Sequence, residues 1–412
     1  MVTEYQSSEK KTLVFVSTRF LFPVDSGGKI RTTQVLRGLK KSGYSVTLLC
    51  PATPEELVKY TEDLAGICDR IDTWEQEARG MLFHYARLRH IFSKLPIPIR
   101  TDVNEAGLRL VEHHLEQKPA VVVYDFLHAN VLRPATMRQI PSVMFTHNVE
   151  SEIFKRQLEN ASSLPAKILW QNQYNKMCAF EKEALAEYDI VVAVSDRDAT
   201  TFQSEFNARK THTIPTGVDL DFFGYHPPTK SNHVIFCGSM DWLPNQEAIS
   251  YFLKDIWPLV LAQCPNAQFT VIGRSPPESL LKLGEESQNV TFTGFVDDIR
   301  DYARHAGCAV IPIRIGGGTR LKAYEAMAMG TPMVSTAIGI EGLPLQAGED
   351  YLHADTTEEF ASQVLSLMGD QSLRTRIAEV ARTKVEAQFS FQVAADSFAC
   401  ACENAEHVKD AK

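Results

Sequence analysis

Arg320, Lys322 and Glu325 follow three consecutive glycines, Gly316, Gly317 and Gly318, and Thr319, in a stretch reading PIRIGGGTRLKAYEAMAMGTPM from Pro312 to Met333. Two cations at the start of a helix oppose the helix dipole, at roughly 0.3–1 kcal/mol each when exposed. The backbone amides of a first helical turn also lack intrahelical partners. A bound phosphate resolves both problems, because it accepts from the amides and pairs with the cations. Glu325 stands three residues after Lys322, so both side chains project from one helix face. A carboxylate there can accept from the two neighbouring hydroxyls of a ribose. Phosphate and ribose together indicate a nucleotide.

The flanking residues supply the elements that would hold such a site. Ala309 to Ile313 is an apolar run of strand length, and Leu321 to Met329 contains strong helix formers without Gly or Pro. Gly330 stands where a C-cap glycine is expected, Thr331-Pro332 prevents continuation, and Met333 to Ser335 reads as the next strand. This is a βαβ unit with its glycines at the carboxyl end of a strand, where open parallel sheets bind ligands. Lys322-Ala323 excludes a Walker loop, and Leu321 stands where a dinucleotide fingerprint needs glycine.

A second set of polar residues lies in the first half of the chain. Thr12 to Ser17 reads as a buried strand, Gly27 and Gly28 open a helix over Ile30 to Ser42, and Tyr44 to Cys50 is the next strand. Ala120 to Tyr124 and Pro141 to Thr146 are further buried strands. Asp125 and His128 follow the first of these, and His147 follows the second. Parallel strands bring these residues to one sheet edge, with His147 the stronger candidate of the two histidines. The second half repeats the pattern. Val234 to Gly238 ends in Gly238-Ser239, placed to meet phosphate through amides and a hydroxyl. Gln268 to Ile272 ends in Gly273-Arg274, where Arg274 reaches either the nucleotide or solvent. Asn245 either assists at the phosphate or, the favoured expectation, caps the helix that runs to Trp257.

The stretch from Glu325 to Met333, EAMAMGTPM, resembles the second half of the donor-site signature of retaining GT-B glycosyltransferases of the family-four-like group. The first glutamate of that signature falls on Gly317, and the Gly-Gly-Gly-Thr-Arg-Leu-Lys form matches a subgroup of bacterial sugar transferases. His147-Asn148-Val149-Glu150 is similar to a segment whose histidine faces the sugar and acceptor in that group, and Gly27-Gly28 to a loop facing the cleft. The resemblance implies an α/β, GT-B architecture, two Rossmann-like domains with parallel sheets facing a central cleft. It places an acceptor-side domain over 1–215, a donor domain over 216–388, and a final helix over 389–406 that crosses back to the first. It implies transfer of a sugar from a UDP- or GDP-linked donor to a glycan or lipid-linked saccharide, with no metal and no other cofactor. The positions it marks for donor binding are Gly28, Gly238, Ser239, Arg274, Gly317, Gly318, Thr319 and Glu325, with His147, Arg320 and Lys322 at the chemistry. Relatives carry an arginine after the glycine at position 238 and a lysine nearby. Ser239 stands here instead, so Arg320 and Lys322 are expected to take the diphosphate charge.

Composition limits the alternatives. The chain has 412 residues, enough for two domains. A net charge of −9 gives no basic excess for general nucleic-acid binding. Eight scattered cysteines without a Cys-x-x-Cys pair suggest neither a zinc site nor a disulfide framework. Asp219-x-Asp221 matches a metal motif by letter only. No apolar run reaches the ~20 residues of a spanning helix, and the polar N-terminus has no signal-peptide core, so a cytoplasmic protein is expected. Residues 79–100 carry Arg79, Arg87, Arg89, Lys94 and Arg100 with no acidic residue, and Met81, Tyr85, Leu88, Phe92 and Leu95 recur at helical spacing. Such a helix either packs on a core or lies on an anionic membrane surface near a lipid-linked acceptor. A sugar-nucleotide epimerase and an inactive glycan-assembly subunit of the same shape are the competing readings.

Overall fold

Runs of β-branched and apolar residues that end at a glycine or polar residue form parallel strands throughout. The computed structural model describes residues 10–75, 87–136, 138–161, 163–315 and 320–410. They divide into two units, one running to Pro215 and completed by Ala394–Lys412, the other Thr216–Val393. Each unit is an α/β layer structure built on one parallel sheet.

The first sheet contains β1 (Thr12–Ser17), β2 (Ser45–Pro51), β3 (Arg70–Trp74), β4 (Val121–Asp125), β5 (Ser142–Phe145), β6 (Ile190–Ala193) and β7 (Thr211–Thr213). Their order is β3-β2-β1-β4-β5-β6-β7. β4, β5 and β6 are buried along their whole length, as strands covered on both faces must be. The register aligns Ser17 with Asp125 and Asp125 with Phe145, so the polar ends of β1, β4 and β5 meet at one edge. The last helix, Phe391–Asp410, belongs to this core through Ala394, Phe398, Ala401, Cys402 and Ala405. It crosses the first helix, Gly27–Lys41, so closely that a β-carbon on Gly38 would lie 1.9 Å from that of Ala395.

The second sheet contains β8 (His233–Cys237), β9 (Gln268–Ile272), β10 (Val290–Gly294), β11 (Cys308–Ile311), β12 (Met333–Ser335) and β13 (Leu352–His353), in the order β10-β9-β8-β11-β12-β13. The order reverses between β8 and β11, the position where open sheets leave a crevice at their carboxyl edge. The helix Leu321–Met329 ends as the sequence predicts. Gly330 takes a left-handed conformation (φ 73°), and Thr331 donates to the Ala326 carbonyl.

Thr211–Thr213 is the edge strand of the first sheet, and beyond it Val218 makes an isolated bridge to Ser390. Asp219 Oδ1 accepts from the amides of Asp221 and Phe222, so its carboxylate closes a turn. The basic segment is not one continuous helix. Residues 79–86 lie outside the described residues, Arg87–Phe92 is a 3-10 turn, and Ile97–Thr101 is a separate short helix after Pro96. Leu95 packs on the core while Phe92 is 93% exposed.

One buried cation ties the first sheet together. Arg31, on the first helix, donates to the carbonyls of Thr146 (2.6 Å), Ala193 (3.5 Å) and Ile214 (2.7 Å), which follow or end β5, β6 and β7. Its guanidinium lies 4.4 Å from the centre of the Phe145 ring. Burial pushes its pKa down to about 9. Replacing Arg31 by Met takes this donor from the buried Thr146 and Ile214 carbonyls, while the Ala193 carbonyl keeps the Ile214 amide, a loss on the order of 3 kcal/mol. Thermal unfolding of Arg31→Met is therefore expected about 10 °C below the parent, and a midpoint within the error of the parent would contradict this role.

Candidate functional site

The site on the second unit is built around Lys322, the second residue of the helix Leu321–Met329. Its Nζ donates to Asn245 Oδ1 at 2.8 Å and lies 4.4 Å from the centre of the Phe236 ring. A β-carbon on Gly238 would lie 3.0 Å from that Nζ and 2.7 Å from Asn245 Nδ2. Gly238 thus lets the ammonium approach the end of β8. Asn245 Nδ2 donates in turn to the Ser239 carbonyl at 2.7 Å. Asn245 is therefore a bridge between the lysine and the loop after β8, not the helix cap expected from sequence; the N-cap of Leu243–Tyr251 is Trp242.

Glu325 stands one turn further along the same helix. With Lys322, Cys237 and the apolar Ile235, Ile299, Ala309 and Met329, it lines a space of about 20 Å³, room for one water molecule at most. Burial pushes Lys322 down to about 7, against the opposing pull of Cys237 and Glu325. Burial pushes Glu325 up to about 7, against the pull of Lys322. The pair is held where neither group is comfortable charged, and a bound anion on the lysine side relieves that tension.

Arg320 precedes the helix rather than lying inside its first turn. It is the N-cap residue, in a left-handed conformation (φ 51°, ψ 26°) that costs an L-residue about 1–2 kcal/mol. Its side chain is buried and forms an ion pair with Glu341 at 3.7 Å. Gly317, Gly318 and Thr319 lie outside the described residues.

The loops after β8 and β9 interlock. Gly273 packs so tightly that a β-carbon there would lie 1.9 Å from the Gly238 oxygen. The Gly238 amide donates to the Ile272 carbonyl, which corrects the expectation that it faces phosphate. The Ser239 hydroxyl donates to Asp241 Oδ1 (2.7 Å) and accepts from Arg274 Nε (3.1 Å), and Arg274 also pairs with Asp241 at 3.4 Å. Arg274 is thereby held against the loop after β8. Asp241, which helps organise this loop, carries no signal in sequence beyond being a polar residue near a strand end.

On the first unit, His147 follows β5 and is buried. Its Nε2 lies 2.9 Å from Asp125 Oδ1. Asp125 also accepts from Ser17 Oγ (3.1 Å) and Thr32 Oγ1 (3.0 Å). Burial holds the His147 pKa below the ordinary histidine value, against the pull of Asp125. His128 pairs elsewhere, with Asp102 Oδ2 at 2.7 Å. Gly28 lies in the first turn of the first helix, and its open side is filled by the ring of Phe126: a β-carbon there would lie 2.5 Å from Phe126 Cζ. Glu181 accepts from the amides of Glu150 and Ser151 and so anchors the helix that starts after His147. Among the described residues, no three His, Cys, Asp or Glu side chains gather as metal ligands.

Comparison with known proteins agrees with this geometry. Residues 26–222 match the family described as Glycosyltransferase Family 4, and residues 231–370 match Glycosyl transferases group 1. The chain is 23% identical over 367 residues to an uncharacterized 44.6 kDa protein in the cps region of Klebsiella pneumoniae, covering 86% of this chain and 90% of that one. Among solved structures it is similar to a sucrose-phosphate synthase of Thermosynechococcus elongatus (TM-score 0.66, 19% identity, 95% and 98% of the two chains). It is also similar to Anabaena HepE in complex with UDP and glucose (TM-score 0.65, 14% identity, 95% and 99%). The chain has the GT-B glycosyltransferase fold. In this GT-B chain the two matched ranges leave 223–230 between them, inside the second unit.

The electrostatics of Lys322 set a direction for stability. Because its folded pKa lies below that of the unfolded chain, its charge opposes folding fully below pH about 7 and not at all above the unfolded lysine value. Lys322→Met is therefore expected to unfold at a higher temperature than the parent GT-B chain. The difference is largest near neutral pH and shrinks as pH rises toward that of free lysine. Calorimetric scans across that range check it; a variant less stable than the parent at pH 7 would overturn it.

Proposed function

We propose that this chain is a retaining glycosyltransferase. It moves a sugar from a nucleoside diphosphate sugar, UDP- or GDP-linked, to a saccharide or lipid-linked acceptor. The observation that carries this reading is the placement of Lys322: a lysine held by Asn245 over Phe236 at the sheet's carboxyl edge, with Glu325 one turn away. The glycosyltransferase family matches over both halves support the reaction class. HepE binds UDP and glucose, and a relative encoded in a cps region suits a polysaccharide-type acceptor.

In this reading Lys322 and Arg320 stabilise the charge that develops on the departing diphosphate, and Arg274 adds to the same field. Glu325 accepts from the ribose hydroxyls. Gly317, Gly318 and Thr319 complete the loop around the phosphates, with Gly238 making room for the lysine and Ser239 steering Arg274. The acceptor oxygen forms its bond to the anomeric carbon on the face from which the diphosphate leaves. The carbon–oxygen bond to the diphosphate breaks, and a donor phosphate oxygen takes the acceptor proton. His147 positions the sugar. Protein cations neutralise the diphosphate, so the reaction needs no metal or other cofactor.

Calorimetric binding of UDP and GDP in EDTA tests this. The parent is expected to bind one of the two, and Lys322→Ala to lose that binding and about 10²–10³ in transfer rate. A variant within about threefold of the parent would overturn the assignment. Absence of binding to either nucleotide would favour a non-catalytic assembly subunit.

The same reading includes contact with an anionic membrane. Residues 87–100 carry Arg87, Arg89, Lys94 and Arg100 with no acidic residue, in a chain of net charge −9. The exposed Phe92 sits among them. This segment rests on the helix Leu164–Leu185, where Lys176 donates to the Ile91 carbonyl and Gln173 accepts from Ile97. The outer face of that helix exposes Leu164 and Ile168. Among the described residues no helix is long and apolar enough to cross a membrane, so the contact is a surface one. Reversing Arg87 and Arg89 to Glu is expected to abolish cosedimentation with phosphatidylglycerol vesicles, and unchanged cosedimentation would refute the contact.

A further inference from the structure

Phe126, the first residue after β4, has φ 63° and ψ 152°. That region of backbone space is open essentially to glycine, and a side chain there costs on the order of 1–3 kcal/mol. The strained residue is fixed at both ends: its amide donates to the Phe145 carbonyl, and its carbonyl accepts from Ala129. The strain places its ring flat on the imidazole of His147, with centroids 3.9 Å apart and planes 20° from parallel. The tip of the ring fills the recess that Gly28 leaves. Phe145 flanks the imidazole as well, at 4.6 Å.

The imidazole held this way has one unused atom. A carboxylate can only accept, so in the neutral imidazole that burial favours, the nitrogen facing Asp125 carries the hydrogen and Nδ1 keeps a lone pair. Nδ1 is buried and has no hydrogen-bond partner among the described residues. A buried acceptor without a donor is costly to maintain, and an O–H group is the simplest partner that satisfies it.

We propose that Phe126 is a positioning residue: resting in the Gly28 recess, it clamps His147 so that Nδ1 is presented as an acceptor for a sugar hydroxyl. This deepens the transferase reading and rests on it. It also gives Gly28 a specific task, since any larger residue there displaces the ring. The charged groups that face His147 are Asp125, Arg31 and Arg19, and Arg19 also lies 5.5 Å from the Phe126 ring.

Two variants test the clamp. Phe126→Gly removes the ring and relieves the backbone. Gly28→Ala keeps the ring but fills its recess. Nitrogen NMR of the imidazole is read in the free protein across a pH titration, and kcat and donor KM are read separately. Phe126→Gly is expected to fold, to let the His147 titration move up toward ordinary histidine and its tautomers exchange, and to lose on the order of 10²-fold in kcat. Donor KM stays within about threefold, because the cations assigned to the diphosphate, Arg320 and Lys322, belong to the second unit and are unchanged. Gly28→Ala shifts both readouts in the same direction. Unchanged His147 titration and tautomer in both variants would overturn the proposal. If Phe126→Gly fails to fold, Gly28→Ala decides alone. If no sugar transfer is found in the parent, that failure falls on the transferase reading, and the NMR arm still decides whether Phe126 holds the imidazole.

Discussion

The candidate donor site depends on bringing one lysine ammonium out of water and against an aromatic ring at the end of a parallel strand. Lys322 achieves this because three neighbours cooperate. Phe236 offers a ring face, Asn245 a carbonyl oxygen, and Gly238 the absence of a side chain. None of these contacts is strong by itself: cation–π and hydrogen-bond contributions to a partly buried cation are on the order of 1–3 kcal/mol each. Together they hold an ammonium whose charge is poorly solvated, which is the state that gains most from an arriving phosphate.

The price of that arrangement is visible in the surrounding strain. Arg320 adopts a left-handed backbone at the helix entrance, Glu325 is pushed up by burial, and the loops after β8 and β9 pack with no space for a side chain at Gly273. Native structures keep such features where surrounding packing over-determines them. Here the helix Leu321–Met329 is anchored by buried Ala323, Tyr324, Ala326 and Met327, so a well-packed element carries an uncomfortable terminus.

The first unit solves a parallel problem with different residues. Arg31 reaches from the first helix to carbonyls at the ends of three strands, and Asp125 gathers donors from β1, the first helix and His147. The polar edge of this sheet is therefore a cross-linked network in which helix and strand ends fix one another. His147 owes its orientation to that network and to Phe126, whose backbone strain is affordable only because hydrogen bonds on both sides hold it.

The sequence by itself determined the elements and the edge at which chemistry is placed. Thr12–Ser17, Gln268–Ile272, Leu321–Met329 and Met333–Ser335 form where their apolar runs, helix formers and bounding glycines predict, because each is decided by contacts or backbone preferences a few residues apart. Gly330 was legible as a C-cap for the same reason. Lys322, Glu325 and His147 were legible as polar residues at strand and helix ends. What only the tertiary structure decided is who meets whom. Asn245 lies 77 positions from Lys322 and Arg274 lies 35 from Ser239, so their pairing depends on which strands become neighbours. The break in the basic segment, the role of Gly28 as a recess for Phe126, and the commitment of the Gly238 amide to Ile272 belong to the same class. Local sequence states what a residue can do; the register of parallel strands and the depth of burial select which partner it finds.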